Sequence, residues 1–318
     1  MEYTDSVLMR FLSMGTYKTL LDEAGIATDY QTALVRGVPQ NPMFDVAAFE
    51  QVIDQFQTKD GDAFVTTYVK AGTTWVQQIV HCLLHQGANA GQYGESVPWL
   101  EACGSSPEVI GPREAPNWTM AAINAAVAPR YFKSHATVRD LPRGHANIKV
   151  IYVARNPKDT VVSLFHHARN KPEFQFTGDF ATFLQIFLAD LAENASWFAH
   201  VLDWHDECQR NADTHLFLKY EDIYDDTAQY IERIAQFLDI PTTGKTLADT
   251  LRNTSLQAMK KHASIGMNHI RKGGYGGWRA LFTADMNAQF DAIYKANMAG
   301  SGLQFNFGIN PDGADVIF

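Results

Sequence analysis

Lys70, Gly72, Thr73 and Thr74 stand within five residues of one another, at the join between two runs of opposite character. Before them, Phe64 to Val69 is uncharged and rich in β-branched and aromatic residues, which predicts a short buried strand. After them, Trp75, Val76, Ile79, Val80, Leu83 and Leu84 recur at helical spacing. Thr73 or Thr74 could cap that helix and Gly87 could stop it. Strand, glycine-containing turn and helix together can grip an anion. A helix N-terminus offers unpaired N–H groups and about half a positive charge. Gly72 allows close backbone approach, the threonine hydroxyls add donors, and Lys70 adds a full cation. The order is not that of the GxxxxGK(S/T) phosphate loop, where lysine follows the glycine. A capped helix beside a solvated lysine is the blander alternative.

A second cation, Arg155, closes another apolar run, Lys149 to Arg155, and Pro157 suits the first turn of the helix that follows. Further strands are expected at Arg130 to Thr137 and His215 to Tyr220, the latter ahead of a helix from about Ala228 to Leu238. Residues 180–210 read as two amphipathic helices. Alternating strands and helices imply an α/β fold, with a central, mostly parallel sheet flanked by helices and right-handed crossovers. Such sheets bind ligands beyond the carboxyl ends of their strands, so Lys70 and Arg155 should converge there. Residues 1–60 read as helix and loop, broken around Pro39, Asn41 and Pro42. Residues 88–130, rich in Gly, Pro, Ala and Asn, suit loops with short helices, of the kind that form lids or pocket walls.

The chain has 318 residues, 35 acidic against 26 basic, for a net charge of -9. That balance argues against nucleic acid or a polyanionic sugar as partner, yet permits a small anion in a local basic pocket. Cys82, Cys103 and Cys208 are too scattered for a disulfide framework or a zinc knuckle, which fits a reducing compartment. No signal-peptide pattern and no apolar run of roughly 20 residues is present. A soluble cytoplasmic protein is expected, with no membrane partner.

TYVKAGTTW resembles the 5′-phosphosulfate loop of the cytosolic sulfotransferase family, TYPKSGTTW, with Val69 and Ala71 in place of Pro and Ser. VIYVARNPKDTVVSLFHH is similar to the family's 3′-phosphate segment, whose arginine and serine match Arg155 and Ser163. RKGGYGGWRALFT resembles a third signature, RKGxxGDWKxxFT, in which Arg271, Lys272 and Gly273 close over the same phosphate and Gly277 replaces an Asp. The segments occur in the family's order across residues 64 to 298. The resemblance implies that the chain binds 3′-phosphoadenosine-5′-phosphosulfate (PAPS) as donor and releases the desulfated bisphosphate, PAP. Lys70, Ala71, Gly72, Thr73 and Thr74 would hold the 5′ end, and Trp75 would stack on the adenine. Tyr220 and Thr254 would contact the adenine, with Leu256 and Met259 lining its site. One domain over residues 1–318 is implied, with 1–60 an N-terminal extension and a nucleotide-binding core of about 61–298.

Sulfuryl transfer to a hydroxyl needs a base with a pKa near 7, which suits histidine. The chain has eleven histidines, so composition does not select one. YFKSHATVRDLP resembles the family's KTHLPxxxLP segment and places the base at His135, in preference to His166, His167 or His269. Lys133 matches a further active-site lysine and, two residues earlier on a strand, would share a face with His135. Lys70 would stabilise charge on the leaving oxygen. No metal is implied. VPWLE resembles an acceptor-lining segment, putting Pro98 and Trp99 beside a small-molecule acceptor whose identity, hydroxyl or amine, stays open. The family's dimer motif, KxxxTVxxxE, is degraded: Thr283 survives, but Arg279, Ala284 and Ala288 replace the Lys, Val and Glu. Two rivals are a P-loop kinase, disfavoured by the misplaced lysine, and a non-catalytic PAPS-binding protein, which would not need His135. A membrane-bound glycan sulfotransferase is disfavoured by the charge balance and the lack of an apolar span.

Overall fold

The computed structural model describes residues 17–90, 93–103, 118–142, 144, 147–261, 273–309 and 315–317. Helix α1 (Tyr17–Glu23) is followed by a two-stranded antiparallel ribbon, β1 (Ala33–Val35) and β2 (Val38–Gln40), and by α2 (Val46–Gln55). The ribbon departs from the helix-and-loop expectation for this region. Pro39 lies within it, opposite Leu34, a place open to proline because a two-stranded ribbon has edges on both sides. Strands of three residues are too short to show a period of two.

Four parallel strands make the central sheet: β3 (Ala63–Thr67), β4 (Tyr131–Ser134), β5 (Lys149–Ala154) and β6 (His215–Lys219), in the order β4-β3-β5-β6. All of β3 and five of the six residues of β5 are buried, as strands covered on both faces must be. Alternation divides their side chains between two cores. Ala63, Val65, Ile151 and Val153 pack with Val76, Ile79, Val80 and Leu83 of α3 (Thr73–Leu84) on one face. Phe64, Phe132, Val150 and Tyr152 meet the aromatic core of the other face, where Tyr152 stacks on Trp204 at 5.3 Å.

The remaining α-helices among the described residues are α4 (Tyr93–Ser96), α5 (Met120–Ala125), α6 (Pro157–Asn170), α7 (Phe180–Leu188), α8 (Trp197–Arg210), α9 (Tyr220–Asp225), α10 (Thr227–Phe237), α11 (Gly244–Asn253), α12 (Leu256–Lys261) and α13 (Ala284–Met298). A second antiparallel pair, β7 (Asn306–Ile309) and β8 (Asp315–Ile317), follows α13. Lys158 ties the C-terminal part to the sheet. Its ammonium is buried 4.3 Å from the Trp278 ring, donates to Asn287 Oδ1 at 2.6 Å and pairs with Asp291.

The strands end sooner than their apolar runs. Phe64 to Val69 was expected as strand, yet β3 stops at Thr67, and Tyr68 and Val69 are buried in the loop beyond it. Thr67 pairs with Val153, Thr66 with Ser134, and Ala154 with Lys219. One edge of the sheet therefore releases four segments together: the turn at Lys70, His135, Arg155 and Tyr220.

Candidate active site

The turn after β3 is held by backbone conformation. The N-cap of α3 is Gly72, with φ 105°, rather than Thr73 or Thr74 as the sequence suggested. A Cβ at Gly72 would stand 2.6 Å from Cδ2 of Tyr220, so this position excludes side chains by space as well as by dihedral. Lys70 also adopts a positive φ, 67°, which is costly for a residue with a Cβ and concentrates at working sites. Ala71 is fully buried. The Thr73 hydroxyl turns inward: Thr67 Oγ1 donates to the Tyr68 carbonyl at 2.7 Å and lies 2.6 Å from Thr73 Oγ1, from which it accepts. Thr74 remains half-buried at the helix end. The first-turn amides of a twelve-residue helix face this turn without partners inside the helix.

Arg155 crosses behind the turn. It donates from Nη1 to the Lys70 carbonyl (3.3 Å) and from Nη2 to the Gly274 carbonyl (3.0 Å), and its guanidinium lies 4.5 Å from the Tyr220 ring. Its Nε is buried and has no hydrogen-bond partner among the described residues. Ser163, half-buried on α6, is two turns further along. Trp75 meets Tyr220 edge-on at 5.4 Å and donates from Nε1 to the Thr254 carbonyl at 3.0 Å. Thr254 is buried and spends its hydroxyl on the Thr250 carbonyl. Met259 is buried on α12, whereas Leu256 is exposed and abuts Gly273, where an added Cβ would lie 3.1 Å from it. Arg271, Lys272 and His269 lie outside the described residues. Gly273 is described, with φ 70°.

Two carboxyl groups that sequence reasoning did not single out assemble this half. Asp159 accepts the backbone N–H groups of Gly276 (2.6 Å) and Trp278 (3.1 Å), clasping the third sequence segment to the second. Its Oδ1 would stand 3.7 Å from a Cβ at Gly277, so the missing Asp side chain would have faced an existing carboxyl. Glu221, fully buried, accepts both the backbone and side-chain N–H of Asn156 at 2.9 Å, fixing the bend after Arg155. Burial pushes the Glu221 carboxyl up to about 7, opposed by these hydrogen bonds and the Arg155 charge.

His135 follows β4 and is 7% exposed. Its Nδ1 lies 3.0 Å from the Thr67 carbonyl, an acceptor only, so Nδ1 carries the proton and Nε2 is the basic nitrogen of the neutral ring. Its backbone is pinned on both sides. The N–H donates to Glu101 Oε1 at 2.5 Å, and the carbonyl accepts from Asn194 Nδ2 (3.0 Å) and His200 Nε2 (3.1 Å). Burial raises the Glu101 pKa, with the Ser134 and His135 hydrogen bonds opposing it. Burial also lowers His200 to about 4, keeping that ring neutral in its structural role. Trp99 touches both candidate groups: its ring lies 3.7 Å from Lys133 Nζ and meets the His135 ring edge-on at 5.6 Å. Pro98 is buried, and its carbonyl accepts the Lys133 N–H at 2.9 Å. Glu101 was visible only as the end of VPWLE. Asn194 and His200 carried no signal, because their partners are about 60 residues away.

These residues fit a nucleotide bisphosphate ester. The turn between Lys70 and Thr74 presents a helix N-terminus and a lysine, and the buried Arg155 Nε lacks an acceptor that a phosphate could supply. Among the described residues no group of three or more His, Cys, Asp or Glu side chains could hold a metal ion. Also among them, no helix is long and apolar enough to cross a membrane.

The sulfotransferase domain model matches residues 60–302. Cytosolic sulfotransferase 1 of Danio rerio is 33% identical over 272 residues, covering 80% of this chain and 88% of its own. Sulfotransferase 4A1 of Mus musculus is 32% identical, covering 84% and 90%. Mouse sulfotransferase SULT7A1, solved in complex with PAP, superposes with a TM-score of 0.70 at 26% identity, over 86% of this chain and 95% of that one. A retinol dehydratase solved with retinol and PAP shares the fold, with a TM-score of 0.69 at 24% identity over 81% and 87% of the chains. A family match across most of the chain and relatives a third identical over four fifths of it leave one conclusion: the chain belongs to the cytosolic sulfotransferase family and is a PAPS-dependent sulfotransferase.

Proposed function

We propose that the chain sulfates a hydroxyl or amine of a small-molecule acceptor by in-line displacement, with His135 as general base. PAPS, when bound, supplies the sulfuryl group and departs as PAP. The turn at Lys70, Gly72, Thr73 and Thr74 would hold its 5′ end; Arg155, Ser163 and the segment at Gly273 its 3′-phosphate. Arg271 and Lys272 would join them, by resemblance. Trp75, Tyr220, Thr254, Leu256 and Met259 would form the adenine site.

His135 Nε2 takes the acceptor's proton, and the hydrogen bond from Nδ1 to the Thr67 carbonyl stabilises the resulting imidazolium. Lys70 and Lys133 offset negative charge at the transferring group, an electrostatic role that preorganised cations fill without rearranging. Pro98 and Trp99 would wall the acceptor side. The observation that carries this reading is the His135–Thr67 hydrogen bond, which ties the base to the residue from which the phosphate-gripping turn departs. We do not infer the family's dimer. Thr283, the retained motif residue, caps α13 by accepting the Met286 N–H, and Arg279 donates to the Phe307 carbonyl at 3.0 Å. A cytoplasmic location, with neither nucleic acid nor membrane as partner, completes the proposal.

The test is a labelled-PAPS assay of wild type and His135→Ala against phenols, alcohols and amines, with product masses read out. Transfer by wild type that His135→Ala loses, with PAP still bound, is the expected result. PAP binding with no transfer to any acceptor would instead favour a non-catalytic nucleotide-binding protein.

A further inference from the structure

Strand β7 begins at Asn306, beyond the matched domain, yet it is built onto the segment that carries the third signature. Phe305 and Phe307 are fully buried, and the Phe307 ring lies 5.3 Å from the Lys158 ammonium. The Phe307 carbonyl accepts from Trp278 Nε1 at 2.9 Å and from Arg279 Nη1 at 3.0 Å. Arg279 also donates from Nη2 to the Gly308 carbonyl and from Nη1 to the Gly276 carbonyl, both at 3.3 Å. Its guanidinium lies 4.6 Å from the Trp278 ring. At the start of the strand, Asn306 donates from Nδ2 to the Tyr275 hydroxyl, and its carbonyl accepts from Asn156 Nδ2, both at 3.3 Å.

Two glycines let these backbones meet. A Cβ on Gly308, whose φ is 90°, would stand 2.9 Å from Gly276 Cα, and one on Gly276 would stand 3.4 Å from Gly308 Cα. The turn from Gly273 to Trp278 is therefore gripped from two sides. From the sheet, Arg155 donates to the Gly274 carbonyl, and Asp159 accepts the N–H groups of Gly276 and Trp278. From the opposite side, β7 takes hold of Tyr275, Trp278 and Arg279.

A turn with so many glycines has little conformational preference of its own. Gly273, Gly274 and Gly276 hold φ values of 70°, 74° and 81°, and a free chain would give these up for others at no steric cost. Its shape must come from its partners, and a binding segment that is already shaped spends less of its affinity on ordering. We propose that β7, anchored through Arg279, is a positioning element for the donor site. It sets the turn that closes over the 3′-phosphate, and so sets the preference for a 3′,5′-bisphosphate over a 5′-monophosphate. Arg279 acts as a positioning residue, because its fork spans three main-chain carbonyls where the signature's lysine offers a single nitrogen. This inference rests on the assignment of the Gly273 segment to the 3′-phosphate in the reaction proposed above.

The test measures PAP and adenosine 5′-monophosphate binding by calorimetry, and PAPS-dependent turnover, in wild type, Gly308→Ala, Arg279→Lys and Gly61→Ala. Gly308→Ala drives one backbone against the other, so PAP affinity should fall on the order of tenfold, as misplaced binding groups cause. Affinity for the monophosphate should stay within about twofold, and kcat at saturating PAPS within about threefold, while the Michaelis constant for PAPS rises. Arg279→Lys should give a smaller loss of the same kind, and it decides the matter if Gly308→Ala does not fold. Gly61 has a φ of 83° in the turn before β3, at the far end of that strand from Lys70. Gly61→Ala therefore strains the fold away from the site and should leave both affinities unchanged. Unchanged PAP affinity in both β7 variants overturns the inference. Equal losses for both nucleotides, or the same loss in Gly61→Ala, would make the contact one of general stability and overturn it too. Wild type that binds PAP no better than the monophosphate would bring down the 3′-phosphate assignment itself, and the inference with it.

Discussion

The two sides of the cleft are built differently. The side proposed for the nucleotide is made of contiguous segments: Lys70 to Trp75 from turn to helix, Arg155 to Ser163 in one strand-to-helix passage, and the glycines from Gly273 onward. Its grip relies on backbone conformation, seen in φ values of 67° at Lys70 and 105° at Gly72. The side proposed for the acceptor is made of single residues from distant stretches: Trp99, Glu101, His135, Asn194 and His200. It depends on burial, with Glu101, His135, Asn194 and His200 all at or below 7% exposure. A side built on local backbone tolerates sequence change least at its turns. The other side fails wherever one of its scattered partners is lost.

The largest expected effect separates the two sides outright. His135→Ala should lower kcat by about 10²–10⁴-fold, the usual contribution of a general base, while PAP affinity measured by calorimetry stays unchanged. A parallel fall in PAP affinity would show that the base also builds the nucleotide side. Arg155→Ala should do the reverse. It removes charge-assisted hydrogen bonds worth about 1.5–3 kcal/mol, so PAP binding should weaken by roughly 10–150-fold, and the Michaelis constant for PAPS should rise.

Gly72→Ala tests whether the turn depends on conformation. The added methyl collides with Tyr220 and the dihedral disfavours any side chain, so a loss of about 1–3 kcal/mol is expected in urea unfolding, with weaker PAP binding. Ordinary stability in that variant would mean that the turn readily rearranges.

Two buried acids predict a pH dependence. Glu193 and Glu221 are each raised to about 7 from 4.5. An acid raised in the folded state favours the protonated native form. Its contribution is fully present below pH 4.5 and is lost as pH rises through about 7. Stability should fall between pH 5 and pH 8 by an amount on the order of 1–3 kcal/mol for each group, and Glu193→Gln or Glu221→Gln should each flatten part of that slope. A urea midpoint with the same pH profile in wild type and both variants would contradict the assignment. The smallest effect is expected from Ser163→Ala, which removes one neutral hydroxyl at about 0.5–1.5 kcal/mol and should weaken PAP binding only a few-fold.

The segments proposed for the nucleotide could be named from the sequence because their chemistry is local. Lysine, glycine and threonine must follow one another to make a phosphate-gripping turn, and arginine must end a strand to reach it. Errors there were confined to ends: β3 stops at Thr67 rather than Val69, and Gly72, not a threonine, caps α3. Both arise because an apolar run continues into a buried loop, so burial persists after the strand's hydrogen bonding ends. The ribbon β1–β2 was missed because three-residue strands carry no period. Trp99 and Lys133 could be named from their segments, but not the 3.7 Å contact between them.

The residue order alone determined the α/β alternation, the convergence of Lys70 and Arg155 at the carboxyl end of a parallel sheet, and the family to which the motifs belong. Those follow from short-range rules: hydrophobic period, turn chemistry and the handedness of crossovers. Only the folded chain decided which carboxyl groups are buried, that Asp159 clasps Gly276 and Trp278, and that Glu101 pins the backbone of His135. Charge and hydrogen bonding act through space with strengths set by burial, and burial belongs to the packed molecule rather than to any stretch of its sequence.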